Sequence, residues 1–287
     1  MSVTHPQGFR AAGVAAGLKS TGRQDVALVV NDGPSYASAS VFTANRCLAN
    51  PVLWSKEVAK DGVVRAVVLN SGGANCYTGP EGFQTTHAVA ERVGDHLGAG
   101  AIDVVVCSTG LIGLANDREQ VLAGVDAAYA GLGTAGGPDA AAAIMTTDTV
   151  AKQVVVDGPG WSVGGMAKGA GMLAPQLATM LVVLTTDAVA TADDLDSALR
   201  AATRVSFDRL DSDGCMSTND TVTVLASGAS GITPGRPDLT DALTKACTDL
   251  AMQLLADAEG ADHEVAITVL NAASEDDAVE VGRSIAR

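Results

Sequence analysis

The sequence predicts an α/β (α+β) protein in which helical layers cover antiparallel or mixed sheets. Short β-branched runs alternate with segments of helical period along all 287 residues, the pattern left by stacked layers of strand and helix. The composition is 47% hydrophobic but only 3% aromatic, so the interior must be built from Ala, Val, Leu and Gly, whose small side chains let layers approach closely. A chain of this length buries a substantial core, as one large domain or two ordinary ones.

In the N-terminal half, DVALVVND (25–32), SASVFTAN (38–45), PVLWS (51–55), VVRAVVLNS (63–71) and DVVVCSTG (103–110) are apolar runs closed by Asn, Asp, Ser or Gly. Each is expected as a buried strand leading into a turn. Between the last two, FQTTHAVAERVGDHLGAG repeats its apolar residues at helical spacing and ends in glycine, and REQVLAGVDAAYAGLG follows as a second helix. Pro138 and Asp139 suit the first turn of a third helix that continues through AAAAIM. In the second half, QVVVDG (153–158), WSVGGMA (161–167), TMLVVLTTD (179–187), TVTVLASG (221–228) and EVAITVLNA (264–272) read as strands. Helices are expected at ADDLDSALRAATRVSF, whose early acids favour the helix dipole, at LTDALTKACTDLAMQLLADAEG and at SEDDAVEVGRSIAR. No long linker or low-complexity segment interrupts them.

Charge narrows the function. With 18 Lys and Arg against 33 Asp and Glu the net charge is −15, so a phosphate backbone is repelled and no nucleic-acid partner is expected. The five cysteines (47, 76, 107, 215, 247) form no C-x-x-C pair, which fits a reduced, cytoplasmic protein. The start, MSVTHPQGFRAAG, has no basic region followed by an apolar one, and no apolar run reaches bilayer length; neither secretion nor membrane insertion is expected.

Several residues carry chemistry that admits two readings. Thr179 opens an apolar run directly after the small residue Ala178. A threonine there is an ordinary strand former. A hydroxyl beside an unhindered carbonyl can also attack its own preceding peptide bond and free an α-amine able to act as base toward that hydroxyl. Lys168 sits among glycines in GGMAKGAGM, where backbone can approach a ligand and an ammonium can meet a carboxylate; otherwise it is a solvated surface lysine. Thr109 and Gly110 end a predicted strand and by themselves read as ordinary turn residues. Thr146 could simply cap a turn, and Glu259 could simply be an exposed acid at a helix end. Asp211, Asp213 and Asp220 are spaced like a calcium loop but lack its far glutamate, and the histidines at 5, 87, 96 and 263 are scattered; no metal is expected. Ser108 has no placed base, and no glycine-rich stretch is set as a phosphate loop.

Five segments taken together resemble a known family: AIMTTDTVAKQ (143–153), GGMAKGAGMLAPQLATMLVVLTTDA (164–188), VVVCSTGLIG (104–113), SGGANCYTG (71–79) and STNDTVTVLASG (217–228). They are similar to the ornithine acetyltransferases, the bifunctional glutamate N-acetyltransferases of the cyclic arginine pathway, and the similarity runs from FRAAGVAAGLK to the last residue. Its most specific motif is KGAGM…P…ATML. The resemblance implies sheets stacked between helical layers, as in the related self-processing aminopeptidases. It also implies self-cleavage between Ala178 and Thr179, giving an α chain (1–178) and a β chain (179–287) that stay together as an α2β2 assembly. Thr179 becomes the nucleophile, Thr109 and Gly110 the oxyanion hole, and Thr146, Lys168, Thr179 and Glu259 the substrate contacts. Acetyl would pass from N-acetylornithine to Thr179 and then to glutamate by a ping-pong route that needs no cofactor, although some members of the family take acetyl-CoA as donor. A related self-processing amidohydrolase, with the same kind of nucleophile, remains an alternative. Family members continue with a further C-terminal segment, so an inactive fragment is another alternative, and a strand left without its neighbour would expose apolar surface and an unpaired edge.

Overall fold

The computed structural model describes residues 2–173 and 180–287; the expected cleavage site, Ala178 and Thr179, lies outside the described residues. Strand β2 (Val26–Asn31) is buried at every position and its side chains divide by parity. Val26, Leu28 and Val30 enter one apolar layer while Ala27 and Val29 enter another, so the strand needs apolar cover on both faces. It receives that cover in a four-stranded sheet ordered β1 (Phe9–Val14), β2, β4 (Ala66–Gly73), β5 (Val104–Leu111). A five-stranded sheet, β3 (Ala37–Phe42), β9 (Thr221–Ala226), β8 (Leu181–Thr186), β7 (Trp161–Lys168), β6 (Lys152–Gly158), lies against it. Both sheets are mixed, with β4 parallel to β5 and β8 parallel to β9 inside otherwise antiparallel ladders.

Three apolar layers hold the stack. The middle one joins the sheets, with Val29, Val67, Leu69 and Val105 of the first against Met166, Leu181, Val183 and Leu225 of the second, and α4 (Gly137–Ala143) closing one end. Outside the first sheet, α2 (Gly79–Leu97) contributes Val89, Ala90 and Val93, and α3 (Arg118–Ala130) contributes Val121, Val125 and Ala128. Outside the second, α5 (Ala192–Val205) and α6 (Arg236–Ala256) cover it with Leu195, Leu199, Leu243, Cys247 and Leu250. Asp117 and Thr191 cap α3 and α5 by accepting the N–H of Gln120 and Asp194. The expected order of helices, stacked sheets and helices is what the chain builds.

Two sequence expectations are corrected. PVLWS is not a strand but lies in α1 (Asn50–Val58). Pro51 fits a first helical turn, and Val52, Ser55 and Val58 bury one face at a spacing of three, which alternation would not do. Ser55 Oγ on this helix donates to Val106 O at 2.8 Å and accepts from Val106 N at 3.0 Å, while Trp54 Nε1 donates to Val104 O at 3.1 Å. The helix therefore seals the outer edge of β5. The second correction is EVAITVLNA (264–272), which pairs with no strand among the described residues. Val265 and Leu270 are 78% and 76% exposed; β propensity is realised only against a neighbouring ladder. It leads instead to α7 (Glu275–Ala286), held by Arg204 to Asp276 at 2.6 Å and by Arg283 Nη2 to Asp208 O at 3.1 Å. Strand β1 has no counterpart in the sequence reading, since FRAAGV carries too little apolar bulk to stand out.

Among the described residues no helix is long and apolar enough to cross a membrane. Leu69 is wholly buried between the sheets. Leu69→Ala should lower the unfolding free energy by about 2–5 kcal/mol, read as a lower urea midpoint at unchanged slope.

Candidate active site

The sheets part at the end where β5 and β7 finish, and each strand delivers one side chain there. Thr109, 1% exposed, lies near the end of β5 in register with Ser71. Lys168, also 1% exposed, closes β7, and its Nζ donates to Thr109 Oγ1 at 3.2 Å across the gap. Gly110 follows at φ +122°, and a Cβ there would stand 2.3 Å from Gly72 O, so only glycine allows the two strands to pass. Ser108 points elsewhere, donating to Asn70 Oδ1 at 2.6 Å. Asn219, just before β9, ties this end together by donating to Ala74 O at 2.6 Å and Ser108 O at 2.8 Å.

A buried chain of charges lies behind these groups. The Asp148 carboxylate accepts the N–H of Thr146 at 2.9 Å, the N–H of Gly169 at 2.6 Å and the ammonium of Lys152 at 2.7 Å. Lys152, wholly buried, donates in turn to Asp257 just past α6, and Asp257 also receives Thr149 N at 3.0 Å. Three segments distant in sequence are thereby joined: the turn after α4 with Thr146, the end of β7 with Lys168, and the end of α6. Glu259 belongs to the last. Its N–H donates to Ala170 O at 2.7 Å, and its carboxylate lies over Gly171, where a Cβ would come within 2.8 Å of Oε2.

Electrostatics follow from burial. Desolvation pulls the Lys168 ammonium down to about 8, against the opposing pull of Asp148 and Asp220, with Lys152 and Lys19 adding repulsion. Burial pushes the Asp148 carboxyl up, but Lys168, Lys152 and the two amides outweigh it, so it titrates below the usual carboxylate range. Asp220 goes the other way: burial drives it well above that range despite the Met180 N–H it accepts at 3.0 Å.

Thr109, Gly110, Thr146, Lys168 and Glu259 all line one cavity of about 850 Å³, the size of a small-molecule site. Sequence reasoning named all five; Thr179 and Ala178 lie outside the described residues. Four charged neighbours were not singled out for the site: Asp148, Asp220 and, on the cavity wall, Lys19 and Arg23. Asp148 stood in the TTD stretch without a role. Asp220 was weighed only as a calcium ligand, whereas it binds the amide of Met180. Of the other acids in that stretch, Asp213 receives Met172 N at 2.6 Å and Asp211 receives Gly214 N at 2.9 Å. Among the described residues no three His, Cys, Asp or Glu side chains gather as a metal site.

Asp148→Asn removes one partner of a buried ion pair and should cost about 3–5 kcal/mol in unfolding free energy. Because the folded carboxyl titrates below its unfolded value of about 3.9, this stabilisation is complete above that pH and is lost as acid protonates the folded group. Urea titrations of wild type and variant should differ at pH 7 and draw together as the pH falls below about 4.

A model of the ArgJ family matches residues 10–287. The arginine biosynthesis bifunctional protein ArgJ of Streptomyces avermitilis is 63% identical over 287 residues, covering 100% of this chain and 75% of that protein. The protein of the same name from Mycobacterium tuberculosis is 57% identical over 293 residues, covering 99% of this chain and 72% of its own length. The crystal structure of ornithine acetyltransferase from Mycobacterium tuberculosis complexed with ornithine matches with TM-score 0.60 at 54% identity, over 63% of this chain and 96% of that one. A Burkholderia β-aminopeptidase, 15% identical, shares the fold with TM-score 0.55 over 90% of this chain and 86% of its own. By sequence along nearly its whole length and by fold, this chain belongs to the ArgJ family.

Proposed function

We propose that the chain is an acetyltransferase of arginine biosynthesis that moves acetyl from N-acetylornithine to glutamate through an acetyl-threonine enzyme. The observation that supports this reading most directly is the convergence of Thr109, Gly110, Thr146, Lys168 and Glu259 on one cavity.

Maturation comes first. The Thr179 hydroxyl attacks the Ala178 carbonyl, the peptide C–N bond breaks as the acyl group moves to oxygen, and water hydrolyses the ester. Residues 1–178 become the α chain and 179–287 begin the β chain with a free Thr179 amine. That amine, with an ordinary pKa of about 7.7–8.0, is a base for its own hydroxyl near neutral pH.

Acetyl transfer then uses the same oxygen. Thr179 Oγ attacks the acetyl carbonyl, and Thr109 Oγ1–H with the Gly110 N–H receives the developing oxyanion. Lys168 donates to Thr109 Oγ1, which leaves the Thr109 proton directed outward and polarises it. The amide C–N bond breaks, ornithine leaves with the proton held by the Thr179 amine, and an acetyl ester remains. The glutamate amine attacks that ester, returns a proton to Thr179 and departs as N-acetylglutamate. An amide replaces an amide, so the exchange needs no energy-supplying cofactor; acetyl-CoA is a second donor to assay. The cut chains remain associated, as an α2β2 assembly in the cytoplasm.

Intact mass under denaturing conditions tests the first step. Two fragments divided after Ala178, absent from Thr179→Ala, are expected; one uncut mass in both would sink the nucleophile assignment. Loss of N-acetylornithine that depends on added glutamate then separates transfer from hydrolysis. Thr109→Val keeps the shape and removes the hydroxyl, and should lower kcat by about 10²–10³-fold in a steady-state transfer assay.

A further inference from the structure

Acetyl exchange between these two substrates makes opposite demands on one cavity. The donor's side chain ends in an ammonium and the acceptor's in a carboxylate, while the reacting nitrogen of each must reach the same oxygen. Glu259, with its carboxylate over Gly171, supplies a wall suited to the cation. The same cavity is also lined by Lys19 and Arg23, on the turn between β1 and β2, in a chain whose net charge is −15.

That turn is built to hold its cations in place. The buried carboxylate of Asp25 accepts the N–H of Ala16 at 2.6 Å, of Leu18 at 2.7 Å and of Lys19 at 3.0 Å. Lys19 Nζ donates to Gln24 O at 2.8 Å and Ala143 O at 3.4 Å, which leaves one of its three protons for a ligand. The two cations are near enough to repel: burial lowers the Lys19 pKa, Asp25 opposes this, and Arg23 lowers it again. No carboxylate pairs with Arg23 among the described residues, and its backbone N–H meets only Thr21 Oγ1 at 3.5 Å. An anion between Lys19 and Arg23 would relieve that repulsion.

We infer that Lys19 and Arg23 form the subsite that receives the side-chain carboxylate of the acceptor amino acid. The inference rests on the acetyl-transfer reading and identifies what selects an acidic acceptor within it. The α-carboxylate, common to donor and acceptor, is attached to the carbon that bears the reacting nitrogen, so within this inference it is assigned to Lys168, whose ammonium donates to Thr109 Oγ1. The second carboxylate is carried by the side chain, and on the same cavity wall Lys19 and Arg23 are, among the described residues, the remaining cations to receive it. Glu259 and this cationic pair therefore let one cavity accept side chains of opposite sign in turn.

Ping-pong kinetics give a direct test, because kcat/KM for each substrate reports its own half-reaction. In Arg23→Ala, kcat/KM for glutamate should fall about tenfold more than that for N-acetylornithine. The preference for glutamate over glutamine should shrink by the same factor, and Arg23→Lys should restore part of it. Equal losses for both substrates would mean that the cations read the shared α-carboxylate, and an unchanged glutamate to glutamine ratio would mean that Arg23 is only solvated; either result overturns the inference. If the wild-type chain forms no acetyl-enzyme from N-acetylornithine, the acetyl-transfer reading itself fails. Calorimetric binding of glutamate and glutamine to wild type and Arg23→Ala then decides the subsite: a preference for glutamate lost in the variant supports it, and no preference overturns it.

Discussion

The site depends on one buried run of charge, Asp148 to Lys152 to Asp257. Placing three ionised groups largely out of water is expensive, and the pairing offsets that cost only when the geometry is good and the remaining lone pairs are satisfied. Here they are: two backbone amides complete Asp148, and Thr149 completes Asp257. Because those amides belong to Thr146 and Gly169, the same bonds that satisfy the charge also set the positions of the residues around the cavity. Ordinary apolar packing would fill this space without specifying where each backbone segment stops.

The apolar layers and the ion chain play different parts. The layers fix sheet against sheet through Val, Leu and Ala side chains that interdigitate but carry little directional information. The polar chain acts only where the sheets part, and there direction matters. Lys168 belongs to both systems: its strand is fixed by the ladders to β6 and β8, and its ammonium is placed among Thr109, Asp148 and Asp220. A cation so placed is desolvated, and its charge is correspondingly stronger toward anything that enters the cavity.

The layered fold was legible because buried strands and amphipathic helices leave distinct periods, and those periods survive in runs such as VALVVN and DLDSALRAATRV. Where they failed, the reason is local. PVLWS has strand-like composition, but a first-turn proline and the demand of the open β5 edge made it helical. EVAITVLNA has the composition without a neighbouring ladder. The residues around the cavity were legible only through the resemblance, since Thr146 and Glu259 alone look like a cap and a surface acid. Asp148 and Asp220 escaped because the contacts that tie them to the site, with the amides of Gly169 and Met180, join segments 21 and 40 residues apart, which no spacing in the sequence records.

The helix that seals β5 has a consequence for the chemistry. Parallel strands are held by evenly spaced bonds, so the hydrogen-bond pattern of the β4–β5 ladder does not by itself distinguish a shift by one residue, and such a shift would turn every side chain to the opposite face. Ser55 grips both the N–H and the carbonyl of Val106, three residues before Thr109. That grip acts as an index mark on the strand: it fixes the phase of alternation, and with it the face on which the Thr109 hydroxyl emerges.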